Sequence, residues 1–345
     1  MSADLAAQPA TPAVPTRPRA RRDEGVPPGG PVPAYGGHHL QPAYYEPRRV
    51  PREVARFAGV PTMLPTGSPG KVGILDLEFA LTGHGTELVE HYQKSPLQIM
   101  RPLYYDPQRP DMPYLYLMST GAGVLQGDRL RTDLRFGPGT SAYVTTTAYT
   151  RVLRMEADYA VALTTVEVGE DAYVEYLPEP VVMFLDARLY QSTRLIVAES
   201  GTLIAGETLL AGRLARGERH RYAALASDVE IRRPDGTVLA LDRVRLTPQD
   251  GGTGGLAVLA DHDVLGMLYV VTPLATAREL ADLLHAELAD APDVLLGVSA
   301  LPGDVGAWVR IVGDATAPVT HATARAWRAL RLHLTGAPAP LVRKT

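Results

Sequence analysis

The chain has 345 residues, 46% of them hydrophobic, and a net charge of -4, so it can form one large or two ordinary domains with a sizeable core. The lack of cysteine excludes a disulfide framework, a thiolate nucleophile and a cysteine-ligated zinc site, and the mildly acidic balance argues against a nucleic-acid partner. Because no apolar run approaches about 18 residues and the N-terminus lacks the order of a secretory signal, we expect a soluble cytoplasmic protein without a membrane partner.

Residues 1–60 are predicted to form a disordered arm rich in proline and arginine. Ten of the 30 prolines fall within the first fifty residues, where few aliphatic side chains are larger than valine. Such a segment buries too little apolar surface to offset its ordering entropy. Within it, His38 and His39 follow two glycines and could chelate a divalent metal weakly, although adjacent histidines in a tail are more often incidental.

From residue 71 the pattern changes to short alternating strands separated by turn residues. About eleven strands are predicted, at residues 71–79, 112–118, 129–136, 141–147, 159–168, 172–177, 189–199, 202–210, 226–232, 238–246 and 264–271. This spacing is typical of a large all-β assembly, and no repeat is strict enough to indicate a propeller or a solenoid.

Two helices are predicted near the C-terminus, with strands at residues 294–301 and 306–312 between them. Residues 276–289 place four leucines on one face, with Thr276 as the N-cap candidate. Residues 320–334 carry a second apolar stripe, and Gly336 stands where a C-terminal glycine cap belongs. The sequence therefore predicts a mainly β domain over residues 61–337 with C-terminal helices, followed by a tail at residues 338–345.

Three carboxylates lie among large apolar side chains between residues 173 and 193. Glu175 belongs to an alternating strand, and two prolines bracket Glu179 on a stiff turn that cannot join a β-ladder. Asp186 follows an apolar run and precedes Arg188. Since an isolated buried carboxylate is costly, each acid is either paired or functional. The simpler interpretation is an ion pair between Asp186 and Arg188 beside a proline-stiffened corner.

The usual catalytic signatures are missing from the sequence. The glycine-rich segment at residues 119–130 reads Gly-x-Gly-x-x-x-Gly and precedes a strand, so it predicts a corner in which Gln126 and Asp128 bond the backbone locally. No zinc-protease helix, nucleophile elbow or P-loop motif occurs. One enzymatic alternative stays open, a β-rich hydrolase or lyase in which the paired carboxylates Glu175 and Glu179 perform acid-base chemistry.

Four motifs occur in one order, GAGVLQGD at residues 121–128, TTTAYTRV at 145–152, EYLPEP at 175–180 and FLDAR at 184–188. This series resembles the signature of the urease accessory protein UreD family, also called UreH. The resemblance covers residues 70–336, including the last helix with Trp327 and Arg331. The chain departs from the family pattern at Ala122 and Met183, and the arm before residue 60 has no counterpart.

The resemblance implies a non-enzymatic scaffold of many short strands in stacked, helically wound sheets. Such a protein binds apo-urease and the partner UreF and, with the GTPase UreG reached through UreF, assists nickel delivery and maturation of the urease metallocentre. It holds no tightly bound cofactor, and nickel binds only transiently.

The resemblance also assigns candidate residues along a nickel path. Carboxylate oxygens handle divalent ions without the strong grip of thiolates. The structural alternative is that each acid satisfies an arginine in the core, where loss of one partner costs about 3–5 kcal/mol. The candidates are the acids Asp128, Glu175, Glu179 and Asp186, with Arg151 and Arg188 as their charge partners.

Overall fold

A computed structural model describes residues 37–59, 72–256 and 258–342. With 42% strand and 18% helix, it confirms the predicted mainly β class. The strands are β1 (Val72–Thr82), β2 (Gly85–Lys94), β3 (Leu97–Ile99), β4 (Tyr114–Ser119), β5 (Arg129–Phe136), β6 (Ser141–Thr146), β7 (Thr150–Val152), β8 (Ala160–Val168), β9 (Tyr173–Tyr176), β10 (Val181–Met183), β11 (Arg188–Val197), β12 (Thr202–Leu210), β13 (Ala224–Arg232), β14 (Val238–Leu246), β15 (Val264–Val271), β16 (Leu295–Ala300) and β17 (Gly306–Gly313).

Within the described ranges, four α-helices accompany these strands: α1 (Pro42–Tyr45), α2 (Arg52–Ala55), α3 (Ala277–Leu288) and α4 (Thr316–Thr335). The two C-terminal helices are confirmed, although α4 begins before the predicted residue 320. The sequence did not predict β2, β3, β7 and β10. The last three have only three residues each, and most side chains of β2 are partly or fully exposed, so its apolar alternation is weak.

The strands form two sheets. The first has seven strands in the order β14-β13-β11-β8-β5-β1-β2, parallel from β13 to β1 and antiparallel at both edges. The second follows the order β16-β17-β15-β12-β9-β6-β4-β3 and is parallel from β12 to β4. The chain passes from β5 to β6, from β8 to β9 and from β11 to β12, and each passage leads from the first sheet to the second. The sheets are therefore wound as successive coils.

Glycines at the coil corners carry a repeat that the strand spacing did not reveal. Gly137, Gly169 and Gly201 follow one another at intervals of 32 residues in the turns after β5, β8 and β11. A Cβ on Gly169 would lie 2.9 Å from the carbonyl oxygen of Phe136, and one on Gly201 would lie 2.9 Å from that of Gly169. Only glycine lets these corners stack so closely, so the 32-residue spacing of the corner glycines marks the successive coils.

Two apolar cores result from this arrangement. One lies between the sheets, and the other lies between the second sheet and the helices α3 and α4. Residues of β9 alternate between them: Val174 and Tyr176 belong to the first core, and Tyr173 belongs to the second. Glu175 therefore projects toward the helical layer.

The start of α3 is fixed by a capping box. The backbone N–H of Glu279 donates to Oγ1 of Thr276 at 3.2 Å, and the backbone N–H of Thr276 donates to Oε2 of Glu279 at 2.8 Å. Replacing Thr276 by alanine is expected to lower the free energy of unfolding by about 1 kcal/mol, measured by urea denaturation. Thr276→Ser retains the accepting hydroxyl and should remain close to wild type. An equal loss in both variants would contradict the capping assignment.

The predicted arm needs a correction between residues 38 and 59. In this segment α1 and α2 pack on the first sheet, where Tyr45 contacts the cluster of Val72 and Ile74, and Val54 joins a separate cluster. Glu46 also lies 3.0 Å from Nε of Arg129. A few large side chains thus bury enough surface to order this segment, whereas residues 1–36 and 60–71 lie outside the described residues.

The C-terminal tail also contacts the body. Ala339 and Val342 pack against the core beneath α4, while Leu341 is 71% exposed. Among the described residues, no helix combines the length and apolar character needed to cross a bilayer.

Candidate functional site

The strand β9 and the helix α4 together enclose a charged network. Glu175 and Arg331 have no solvent exposure, and Nη1 of Arg331 lies 3.2 Å from Oε2 of Glu175. The same guanidinium binds Asp106, with Nη2 at 2.6 Å from Oδ2. Tyr173 donates its hydroxyl to Oε1 of Glu175 at 2.6 Å, and Tyr114 donates to Oδ2 of Asp106 at 2.8 Å. Two carboxylates and two tyrosines therefore share one buried arginine.

Burial dominates the electrostatics of this network. It raises the pKa of Glu175, and the charge of Arg331 opposes that rise. Burial and the neighbouring Glu175 carboxylate also raise the pKa of Tyr173 well above its usual value, so the phenol remains a neutral donor. Because the oxygens of Glu175 already bind Tyr173 and Arg331, the network fixes α4 on the second sheet and offers a poor site for an ion.

The prolines on either side of Glu179 coincide with a gap in the second sheet. The strand β9 pairs with β12 as far as Ala205, and β10 resumes the pairing at Leu209. Between them, the described part of the chain leaves residues 206–208 of β12 without a β partner on this side. Proline has no backbone N–H to donate, so residues 177–180 cannot complete the ladder.

Two cavities adjoin this gap. One, of about 220 Å³, lies between the sheets, and the other, of about 290 Å³, lies between the second sheet, α4 and residues 340–342. Polar side chains in the first include Thr132, Thr164, Gln191, Thr193 and Tyr269. The two cavities share wall residues, namely Tyr149, Pro178, Glu179, Gly206, Glu207 and Thr208. Two carboxylates therefore line the gap between the interior and the helical layer.

Glu207, one of these two carboxylates, is held by two neutral hydrogen-bond donors. Ser227 donates its hydroxyl to both of its oxygens at 3.0 Å, and Nε2 of Gln191 donates to Oε1. Burial raises the pKa of Glu207 to about 7, although these two donors act against the rise. At neutral pH the carboxyl is thus populated in both its protonated and its ionised form.

Asp128 occupies the corner that the glycine-rich segment predicts. Its Oδ2 accepts the backbone N–H of Leu125 at 2.7 Å, so the local structural role is confirmed. Gln126 behaves differently from the prediction, because its Oε1 accepts the backbone N–H of Glu156, 30 residues away, at 2.9 Å. Gln126 therefore ties two turns together, while Asp128 closes its own.

The predicted ion pair between Asp186 and Arg188 is wrong. Oδ2 of Asp186, at a left-handed turn position with a φ of 56°, lies 3.3 Å from Nε of Arg154. Arg188 instead lies 4.6 Å from the ring centroid of Phe57 and donates Nη1 to the carbonyl of Asp158 at 3.2 Å. The two side chains therefore contact different partners, although they are two residues apart.

The assigned charge partners need a further correction. Arg331, and neither Arg151 nor Arg188, binds Glu175. Arg151 lines the inter-sheet cavity, and its backbone carbonyl accepts the N–H of Val124 at 2.7 Å. The four predicted acids thus occupy four different environments, and of these four only Glu179 lines the gap. Whether nickel passes any of them stays a prediction.

Sequence reasoning missed Asp106 and Glu207, and it named Arg331 only within the family resemblance and without a partner. The local signals of Glu207 and Arg331 were weak. Glu207 is the one charge in the strand segment TLIAGETLL, and Arg331 lies four residues after Trp327 on the apolar stripe of α4. A charged residue at an apolar position indicates that it has a buried partner, but the neighbouring sequence does not identify that partner. The hydrolase alternative gains no support, because Glu175 faces the helices with its oxygens engaged while Glu179 lies at the gap.

The fold and the gap define a class of protein: two wound β-sheets packed on an apolar core, backed by a helical layer, with a partly polar cavity between the sheets. The family model described as UreD urease accessory protein matches residues 71–345. A protein named Urease accessory protein UreD 2 from Streptomyces griseus is 52% identical over 293 residues, which are 84% of this chain and 100% of the relative. Urease accessory protein UreD from Haloarcula marismortui is 37% identical over 278 residues, 81% of this chain and 92% of the relative. The chain belongs to the UreD family of urease accessory proteins.

Proposed function

We propose that this chain is a non-catalytic scaffold for urease maturation that passes nickel to apo-urease through the gap in its second sheet. The position of Glu179 and Glu207 in the shared wall of two cavities carries this proposal. The relatives are named urease accessory proteins, and these names indicate that the enzyme to be matured is urease.

The chemistry of the gap suits a cargo ion that must enter and leave. Carboxylate and hydroxyl oxygens bind divalent cations, and the chain contains no cysteine whose thiolate would retain them. A carboxyl whose pKa is about 7 can exchange its proton for a cation near neutral pH, as Glu207 can. Thr208 adds a hydroxyl to the same wall. These groups favour transient binding of nickel.

Passage through the gap requires a partner at each end. We assign apo-urease to one cavity and UreF, together with the GTPase UreG that it recruits, to the other. The cavity on the helical side is bordered by Arg328 and by the exposed Leu341, a mixed polar and apolar rim that fits a protein contact.

Glu179→Gln and Glu207→Gln are expected to lower the nickel content of urease severalfold, because each removes one anionic ligand from the gap. The test co-expresses each variant with the urease subunits, UreF and UreG, recovers the complex by pull-down and measures nickel per urease by metal analysis. Co-purification should remain at the wild-type level, since glutamine keeps the size of the side chain and the rim residues Arg328 and Leu341 are unchanged.

Glu199→Gln is the matched control, because it removes the same charge from an exposed position at the end of β11. It should leave nickel loading unchanged. Wild-type nickel content with both gap variants would remove the proposed path. Failure of the wild-type chain to bind urease, UreF or UreG would remove the scaffold function itself.

A further inference from the structure

Three metal-ligating side chains meet on the face of the first sheet that carries the N-terminal segment. One ligand atom each of His38, His39 and Asp76 lies within 4.8 Å of the other two. Nε2 of His39 is 2.7 Å from Oδ2 of Asp76, which lies 37 residues further along the chain in β1. The sequence left the role of the two histidines open, and the fold supplies them with a buried carboxylate.

The surrounding side chains hold this donor set in place. The ring of His39 stacks on Tyr92 with centroids 4.1 Å apart and planes inclined by 3°. Tyr44 meets both imidazoles edge-on, with its ring centroid 5.2 Å from each. Nη1 of Arg135 binds the other oxygen of Asp76 at 2.6 Å, which directs Oδ2 toward the histidines. Such contacts orient metal ligands and reduce the cost of binding.

We propose that His38, His39 and Asp76 form a binding site for one divalent cation of the borderline class, such as Ni²⁺ or Zn²⁺. Two imidazoles and one carboxylate are the ligands that these ions accept, and water would complete the coordination. Ligand atoms bound about 2.0–2.2 Å from one ion lie roughly 3–4 Å from one another. A small movement of the exposed His38 would bring all three ligand atoms to this spacing. A neutral imidazole binds a cation through Nε2 while its proton stays on Nδ1, so the cation takes the place of the hydrogen bond between His39 and Asp76.

The site would tie the N-terminal segment to the sheet. Two ligands come from the segment and one comes from β1, so a bound ion favours the docked arrangement of residues 38–59 over any undocked one. Both histidines precede residue 71, where the match to the UreD family begins. None of the three ligands lines either cavity of the gap, so the site is separate from the proposed nickel path.

The test uses the full chain purified without a polyhistidine tag, titrated with Ni²⁺ and separately with Zn²⁺ by isothermal titration calorimetry. The wild type should bind one ion, and His38→Ala should weaken that event at least about tenfold. This substitution should leave the fold intact, because the side chain of His38 is exposed. It removes the ring contacts with His39 and Tyr44, which lie at the surface of the N-terminal segment. Asp76→Asn should weaken binding as well, and Arg135 then retains Glu78, 3.4 Å away.

The double variant His84→Ala/His91→Ala is the control, since it removes two exposed histidines of the β1–β2 hairpin. It should bind like the wild type. Tryptic cleavage after the exposed Arg48 and Arg49 should slow when metal is added to the wild type, and should not slow in His38→Ala. Equal affinity in His38→Ala and the wild type would overturn the site, and metal binding without tryptic protection would overturn the tie to the sheet.

Discussion

Replacing Arg331 by methionine is expected to lower the free energy of unfolding by about 3–5 kcal/mol. The guanidinium has no solvent exposure and is 2.6 Å from Asp106 and 3.2 Å from Glu175. Its removal leaves two carboxylates buried without their counter-charge, and methionine fills the volume without supplying a donor. Urea denaturation followed by circular dichroism measures the loss.

Arg278→Met is the matched control on the neighbouring helix. Its side chain is 91% exposed and lies 3.7 Å from Asp282, one turn away, so the same substitution should change stability by less than about 1 kcal/mol. Adding Glu175→Gln to Arg331→Met should recover part of the loss, because one uncompensated charge is removed. A loss in Arg331→Met no larger than in the control would contradict the network.

Glu207→Gln is expected to gain stability over the wild type as the pH rises from 4.5 to 8. The folded carboxyl has a pKa of about 7, against a usual value of 4.5, so between these values the folded state holds more protons than the unfolded state. Unfolding free energy of the wild type therefore falls with pH in this window, by up to about 3 kcal/mol from this group. Glutamine cannot ionise, so the variant escapes this fall.

The difference between the two proteins isolates this contribution. Glu175, whose pKa burial also raises, is present in both, and its effect cancels in the difference. Denaturant titrations at pH 5, 6, 7 and 8 would measure the free energy of unfolding of the variant minus that of the wild type. This difference should rise from pH 5 to pH 7 and level off toward pH 8. A constant difference over this range would contradict a raised pKa at Glu207.

The two acids Glu175 and Glu207 differ in the groups that bind them. Glu175 has its charge partner Arg331 and stabilises the attachment of α4. Glu207 is held by the neutral donors Ser227 and Gln191, so its ionised form costs stability. A costly ionisable group beside a cavity is a functional candidate on physical grounds, and this is the reason for including Glu207 in the proposed nickel path.

The sequence determined the elements whose causes are local. Alternation predicted the longer strands except β2, because apolar side chains at every second position must face a core. The cap at Thr276 and the glycine at 336 fixed the ends of the helices α3 and α4. The prolines around Glu179 predicted a turn that could not join a ladder, and the gap lies there.

Only the tertiary structure decided which groups meet. Arg331 binds Glu175, 156 residues before it, and Asp106, 225 residues before it, because the winding of the sheets brings these positions together. Likewise, the gap acquires Glu207 because β12 lies beside β9 in the coil. The N-terminal segment orders on the sheet through a few contacts whose partners lie far along the chain, such as Glu46 with Arg129. Periodicity reports which face of an element is buried, whereas the register between coils sets its neighbours, and that register depends on the packing of the whole chain.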